Sequence, residues 1–229
     1  MMVDLPSSPL AAFDPQFEKV ALETGGLTYE LTGTSLREKL LQNIANDICR
    51  LHLGMAFQLH VTAAKMHGIP YGDLLALVRF VAPYAGYPAA ADALGRIGEI
   101  AAQIGFDIAL EPDLEKDSVT DGRPDQLDRV LSSSDGWMAK FAVSRTSRAW
   151  SEQRLTPREQ AISALTTDVS LHALGDSFCK HVQLLQESGA SSEEIRDVVR
   201  FTAEMGLARS IDAMAEVDRI LSERKHSNG

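Results

Sequence analysis

The sequence predicts an all-α fold built from two tandem helical repeats, and two observations carry that prediction. Apolar residues recur at three- and four-residue spacing along most of the chain, which is the pattern of amphipathic helices. The chain also matches itself at an offset of 121 residues: residues 36–82 align with 157–203 without a gap, and 13 of the 47 pairs are identical. Two long units, rather than the many short ones of a solenoid, predict a duplicated domain that forms an intramolecular dimer about a pseudo-twofold axis.

The repeat divides the chain into three parts. The first unit spans residues 13–105, an acidic linker spans 106–133, and a second, diverged unit spans 134–226. The linker is rich in Asp, Ser, Pro and Gly, as expected for a surface excursion, and contains one predicted short helix, Asp125–Leu131.

Within the first unit, the apolar spacing predicts three helices in order. A long helix runs over Leu36–Met66 and is stopped by Gly68. A second runs over Tyr71–Tyr84. A third runs over Pro88–Gln103, with Pro88 suited to a first helical turn.

The second unit repeats this order after one leading helix. Ser191 followed by Glu194 predicts a capping box, and so does Thr156 followed by Glu159. The predicted helices of this unit are Trp137–Trp150, Thr156–Ser188, Ser192–Met205 and Ala208–Ser222.

Composition and charge exclude several classes of partner. The 229 residues are 45% hydrophobic, so the chain can bury a core, and its formal charge of −10 disfavours nucleic acid and anionic membranes. Neither a secretory signal nor a stretch of 18 apolar residues occurs, so we expect a cytoplasmic protein without membrane contact. With only two cysteines and no CxxC, neither a disulfide framework nor a thiolate metal site is encoded. A small-molecule partner is the remaining expectation.

One histidine recurs at the same point of each repeat, His60 in the first and His181 in the second. Phe57 shares an apolar helix face with His60. Such a histidine can be a packing residue, but an imidazole has an ordinary pKa of about 6.5 and is also suited to acid–base catalysis near neutral pH. Both interpretations stay open at this point.

An Arg-Glu pair heads the long helix of each repeat, as Arg37-Glu38 and Arg158-Glu159. A glutamate in the first turn complements the helix dipole, which is a structural role. The alternative is that Arg37 or Arg158 holds a substrate carboxylate.

The repeats diverge most informatively after the second helix. Residues 82–90 read APYAGYPAA, where the second copy has AEMGLARSI, so we expect the first copy to lose helical regularity here. Tyr84 and Tyr87 are phenols that can donate to a carbonyl or lactone oxygen, or can pack in a helix–helix turn. Because Met205 stands in place of Tyr84, we expect only the first pocket to be fully equipped.

These motifs resemble the carboxymuconolactone decarboxylase family of the alkyl hydroperoxidase D-like superfamily. The resemblance is carried by Arg37-Glu38, His60, Gly68 and residues 82–90. It implies paired helical units of that superfamily's fold, here fused in one chain, and further assembly into a homo-oligomer, with a trimer favoured. It also implies that Glu38 belongs with His60 and Tyr84 among the catalytic residues.

The same comparison excludes one activity. The peroxide-reducing branch of the superfamily carries a C-x-x-C motif ahead of its histidine, where this chain has Leu53 and Ala56 in the first copy. A CxxC thiol–disulfide reductase is therefore not expected.

The sequence thus predicts a cofactor-independent lyase or isomerase that acts on a small carboxylated lactone, β-keto acid or enolisable natural-product intermediate. His60 is the predicted general acid/base, and Tyr84 or Tyr87 donates to the oxyanion. The predicted substrate-binding residues are Arg37, Phe57, Tyr87, His181 and Arg158. No metal site is predicted. The rival hypothesis is a non-catalytic helical protein that binds a ligand or partner.

Overall fold

The computed structural model describes residues 9–108 and 135–227, and within these ranges the chain is all helical with no strand. The all-α prediction is confirmed. The predicted short helix Asp125–Leu131 lies outside the described residues. We call residues 9–108 the first half and 135–227 the second half. The helices are α1 Pro15–Tyr29, α2 Leu36–Arg50, α3 Met55–Met66, α4 Tyr71–Ala85, α5 Tyr87–Ile104, α6 Gly136–Trp150, α7 Pro157–Leu171, α8 Asp176–Glu187, α9 Ser192–Phe201 and α10 Leu207–Ser227, with 3-10 turns at Leu10–Ala12 and Thr202–Met205.

The predicted long helix of each repeat is in fact two helices, so this prediction was wrong. Leu51 and His172, which are equivalent in the repeat, each take a left-handed conformation with φ of 56° and end α2 and α7. Gly54 and Gly175 then begin α3 and α8. The apolar spacing continues across the break, and neither left-handed residue is a glycine, so the sequence carries no usual stop signal there.

The expected loss of helical regularity falls in the other half. Helix α4 runs without interruption through Pro83 to Ala85 and ends at Gly86, which has φ of 97°. Pro83 has no N–H, so one helical hydrogen bond is absent from the last turn of α4. In the second half, α9 stops at Phe201 and the chain tightens into the 3-10 turn Thr202–Met205.

Capping boxes define where three helices begin. The predicted boxes Thr156/Glu159 and Ser191/Glu194 are both present. A third, Ser35/Glu38, begins α2. A capping side chain of this kind typically contributes about 1 kcal/mol to the stability of its helix.

The centre of the fold is the contact between α2 and α7, one helix from each half. Apolar side chains such as Leu41, Ile44 and Leu165 are fully buried in the core. Polar side chains also meet between these two helices: Thr166 donates a hydrogen bond of 3.1 Å to the Gln42 amide oxygen. Because α2 and α7 lie deep in the protein, any functional group they carry is held rigidly.

Further contacts between the two halves position the candidate site. Helix α4 of the first half packs on α6 and α7 of the second, while the turn Thr202–Met205 of the second half packs on α1 of the first. Contacts of this matching kind are expected for a pseudo-twofold arrangement, which stays a prediction. Among the described residues, no helix is both long and apolar enough to cross a bilayer.

Candidate active site

His60 and Asp47 form a close pair between α3 and α2. The Nδ1 atom of His60 lies 2.5 Å from Oδ2 of Asp47. The Asp47 side chain is 3% exposed, whereas that of His60 is 26% exposed. A buried carboxylate on Nδ1 favours the tautomer with its proton there and leaves a lone pair on Nε2. The pair therefore presents an oriented imidazole that can accept or give a proton.

The second half contains an equivalent pair in a different environment. Nδ1 of His181 lies 2.5 Å from Oδ2 of Asp168, but the His181 side chain is only 1% exposed. Its Nε2 atom is buried without a hydrogen-bond partner among the described residues. This imidazole has the same orienting carboxylate as His60 but no comparable access from solvent.

Two aromatic residues enclose His181. The Trp150 ring stacks on the imidazole at a centroid distance of 5.9 Å, and the Tyr84 ring meets it edge-on at 5.7 Å. Trp150 Nε1 donates a 2.7 Å hydrogen bond to the Tyr84 hydroxyl. Burial raises the pKa of the Tyr84 phenol above its ordinary value. Tyr84, which the sequence predicts to act with His60, contacts His181 in the structure, because α4 packs on the second half.

Two polar contacts lie at the end of α1. Glu204, in the turn Thr202–Met205, accepts a 2.8 Å hydrogen bond from the Thr28 hydroxyl at the end of α1. Burial raises the pKa of the Glu204 carboxyl; the Thr28 hydrogen bond and the charge of His60 oppose this shift, while Asp47 adds to it. The adjacent Tyr29 hydroxyl accepts a 2.9 Å hydrogen bond from the Asn43 amide. The charges of His60 and Asp47 therefore contribute to the pKa of Glu204, but burial is the largest cause of its rise.

The surroundings of the two histidines differ because equivalent positions of the repeat carry different residues. Tyr29 is equivalent to Trp150, and Tyr84 is equivalent to Met205. The Tyr29 ring packs edge-on against Phe201 at 5.4 Å, just as Trp150 packs against Phe80 at 5.3 Å. These matching contacts carry different side chains: Trp150 and Tyr84 enclose His181, whereas His60 is partly exposed.

The arginines that head the long helices bind carboxylates of the chain itself. Arg37 Nε donates to Glu159 at 2.6 Å, and another nitrogen of the same guanidinium lies 2.8 Å from Asp73. Arg158 Nε donates to Glu38 at 2.8 Å. These ion pairs join the two halves at matching positions, and the same Glu38 carboxylate also closes the capping box of α2.

The two remaining predicted site residues, Phe57 and Tyr87, differ in burial. Phe57 is fully buried in the core cluster, one turn before His60 on α3. Tyr87 is the first residue of α5 and is 49% exposed. The structure describes no contact between Tyr87 and His60.

Sequence reasoning missed four residues of these two pockets: Asp47, Asp168, Trp150 and Glu204. Asp47 and Asp168 were among the identical pairs of the repeat, so a signal for them existed. They lie thirteen residues before their histidines. Along one continuous helix this spacing would not bring the two side chains into contact. It does so here because the chain turns back at Leu51 and His172. Glu204 had no such signal, because its equivalent is Pro83.

The residues within 9–108 and 135–227 hold no group of three or more histidine, cysteine, aspartate or glutamate side chains arranged to bind a metal ion. The chemistry that this arrangement allows is proton transfer by an imidazole oriented by a carboxylate.

Comparison with known proteins gives a likeness of fold. No family model matches the chain, and no curated protein sequence matches it. A crystal structure from Burkholderia xenovorans LB400, provisionally described as a gamma-carboxymuconolactone decarboxylase subunit, is similar with a TM-score of 0.57. The match covers 96% of this chain and 92% of that one, at 16% sequence identity. At that identity the likeness shows a decarboxylase-like fold and nothing about the reaction.

Proposed function

We propose that this chain is a cofactor-independent lyase or isomerase acting on a small carboxylated lactone, β-keto acid or other enolisable compound, with His60 as its general acid/base. The observation that carries the proposal is the His60–Asp47 pair: a buried carboxylate 2.5 Å from Nδ1 of an imidazole that is 26% exposed. This combination leaves Nε2 as the ring nitrogen available to a substrate.

The proposed chemistry uses only that group. Loss of CO₂ from a β-keto acid, or of a proton from the carbon beside a carbonyl, produces an enolate whose carbon must then be protonated. His60 takes or gives that proton at Nε2, and Asp47 stabilises the imidazolium that forms when His60 carries the extra proton. The decarboxylase-like fold supports this reaction class by analogy only.

Substrate binding in this proposal does not depend on the arginines. Arg37 and Arg158 already bind Glu159 and Glu38 across the two halves, and a substrate carboxylate would have to displace these partners. The proposed activity therefore depends on His60 and Asp47.

The closed second pocket favours one alternative, a non-catalytic protein derived from the same fold that binds a ligand. His181 has the same aspartate partner as His60 and yet is sealed by Trp150 and Tyr84. A histidine–aspartate pair can therefore serve packing in this fold, and only an assay separates the two interpretations for His60.

The test is a turnover screen of the purified wild-type chain beside His60→Ala. The panel contains acetoacetate, oxaloacetate, a carboxylated γ-lactone and α-angelica lactone, and the products are read by mass spectrometry. Loss of the mass of CO₂ that requires His60 supports a decarboxylase, and a product of unchanged mass that requires His60 supports an isomerase. If every compound survives both proteins, the ligand-binding alternative replaces the proposal.

A further inference from the structure

A groove lies at one end of the second half, where α6 and α8 end and α7 begins. It encloses about 640 Å³, which suits a small organic molecule, and Trp150, Glu152, Gln160 and Glu187 are among the residues that line it. We propose that this groove binds a small organic cation, a primary ammonium on an apolar body. The inference does not depend on the reaction proposed for His60, and it assigns a second ligand site to the chain.

The charged residues that line the groove favour a cation. Two carboxylates, Glu152 and Glu187, line it, whereas none of its described lining residues is a lysine or an arginine. Oε2 of Glu152 binds Arg79 at 2.8 Å. The Glu187 side chain is 47% exposed, and its Oε1 lies 4.0 Å from Nζ of Lys180. Glu187 is therefore the carboxylate that a ligand cation meets more readily.

The helix ends at the groove add negative potential. Helix α7 begins here, but the Glu159 carboxylate offsets its positive end, because it accepts a 2.8 Å hydrogen bond from the backbone N–H of Thr156. Helix α6 ends at Trp150 and α8 ends at Glu187, and both residues line the groove. The carboxyl end of a helix carries a partial negative charge, so these two ends attract a cation.

Gln160 supplies a hydrogen-bond acceptor from the wall of the groove. It is 5% exposed, and its Nε2 donates to the carbonyl of Glu152 at 2.7 Å and to that of Trp150 at 3.4 Å. Within residues 9–108 and 135–227, no group donates a hydrogen bond to its Oε1, and this oxygen is not sealed from solvent. An ammonium N–H in the groove would give Oε1 the donor that it lacks.

The other polar groups of the groove use their protons within the chain. The hydroxyls of Ser151 and Ser188 each donate to the carbonyl three residues earlier. The indole N–H of Trp150 donates to the phenol described above. Leu155 and Leu184 add apolar surface to the lining. The groove therefore presents acceptors and apolar groups, which match a ligand with an N–H-rich cationic end and an apolar body.

The first half carries the opposite electrostatics at the equivalent positions. Lys39 is equivalent to Gln160, and its Nζ donates to two carbonyls that match those bound by Gln160. An ammonium and an amide thus serve the same structural role in the two halves, but only the amide leaves an acceptor free. The two carboxylates have apolar equivalents there, Leu31 for Glu152 and Met66 for Glu187. The proposed site is therefore specific to the second half.

The experiment is isothermal titration calorimetry of the full chain with three probes that share a phenylethyl body. Phenethylammonium carries a positive charge, phenethyl alcohol is neutral, and hydrocinnamate carries a carboxylate. The main variant is Gln160→Lys, which copies the residue of the first half and keeps a donor for the same carbonyls. Glu187→Gln changes an exposed side chain, and Lys39→Gln is the matched control in the first half. Circular dichroism checks that each variant folds.

We expect phenethylammonium to bind the wild-type chain saturably, with a dissociation constant of about 1 mM or below, as is reasonable for a ligand of this size. The alcohol binds more weakly, and the carboxylate does not bind. Gln160→Lys places a like charge beside the ligand and weakens binding about tenfold or more. Glu187→Gln weakens it by a smaller factor, and Lys39→Gln leaves it unchanged.

Tryptophan emission locates the bound cation. Trp137→Phe leaves Trp150, in the lining of the groove, as the only tryptophan of the chain. Phenethylammonium should change its emission with the same dissociation constant as the calorimetry, and adding Gln160→Lys should remove that change.

Three results overturn the inference. If phenethylammonium shows no saturable binding to the wild-type chain, the groove is not a cation site. If the alcohol binds as tightly as the ammonium, the groove selects the apolar body and not the charge. If folded Gln160→Lys and Glu187→Gln both bind as the wild type does, the cation lies elsewhere; should Gln160→Lys not fold, Glu187→Gln and the emission of Trp150 decide. The turnover test of His60 is independent of all three.

Discussion

Two histidines with the same partner differ here in what surrounds them. His60 and His181 each lie 2.5 Å from a buried aspartate, but the first is 26% exposed and the second 1%. Exposure decides whether an oriented imidazole can reach a substrate or serves the packing of the core. The duplication therefore contains its own internal control, because the same substitution can be made at both positions.

At His181 we expect a substitution to cost stability. His181→Ala leaves the Asp168 carboxylate buried without its partner and opens a cavity between Trp150 and Tyr84. Leaving a buried carboxylate without its hydrogen-bond partner costs about 1–3 kcal/mol or more in the free energy of unfolding, and the cavity adds to this loss. Urea denaturation followed by circular dichroism measures this loss. His60→Ala is the matched control: it also leaves a buried aspartate without its partner, but His60 is partly exposed and has no aromatic enclosure, so no closed cavity forms and the loss should be smaller. An equal or larger loss at His60 contradicts the expectation.

How much of the site the sequence predicts depends on the residue. The two histidines are predictable because they are identical at equivalent positions of the repeat. Asp47 is also identical to its equivalent, but nothing in the sequence indicates that it contacts His60. That contact forms only because Leu51 turns the chain between α2 and α3. The placement of Tyr84 against His181 follows from α4 crossing between halves, which no local spacing reports.

At the scale of elements, helical periodicity predicts half of the described helices as separate elements, but it merges α2 with α3 and α7 with α8 and predicts no helix where α1 lies. The predicted helices Tyr71–Tyr84, Pro88–Gln103 and Trp137–Trp150 agree closely with α4, α5 and α6. The break at Leu51 is invisible in the sequence because an apolar residue occupies a position where glycine is usual.

That cap gives a direct test. Leu51 takes φ of 56° and is 58% exposed, so its side chain strains the backbone and buries little surface. Glycine adopts this conformation without the clash of a β-carbon, so we expect Leu51→Gly to exceed Leu51→Ala in free energy of unfolding by about 1 kcal/mol. Chemical denaturation of the two variants measures the difference. A Gly variant that is less stable than the Ala variant would show that the left-handed cap is not the source of strain.

At the scale of the whole molecule, two helices expose apolar residues at matching positions of the repeat. On α1, Phe17 and Val20 are 59% and 50% exposed, and their equivalents on α6, Met138 and Phe141, are 50% and 45% exposed. Apolar surface of this kind is typical of an interface with another chain. The homo-oligomer expected from the sequence stays a prediction.

Light scattering coupled to size-exclusion chromatography tests that expectation. We expect a mass above that of one 24.9 kDa chain, and a double variant Phe17→Lys, Met138→Lys that elutes as a monomer while keeping its helical circular dichroism. Charged side chains at these positions would have to be buried without partners in the assembly, which is costly. A wild-type chain that is already monomeric at micromolar concentration contradicts the expectation.

The whole-molecule arrangement is also what sequence reasoning reaches least well. The offset of 121 residues predicts which positions are equivalent, but not that a residue of one half completes the surroundings of a histidine in the other. Tyr84 beside His181 and Glu204 beside Thr28 both arise from contacts between the halves.

The measurement that tests the central claim most directly compares turnover by His60→Ala and His181→Ala on the same substrate, at a temperature where both variants remain folded. We expect His60→Ala to lose at least about 100-fold in kcat while His181→Ala keeps most of the wild-type value at the same fraction of folded protein. If His181→Ala loses the activity and His60→Ala keeps it, His60 is not the general acid/base, and the account is contradicted.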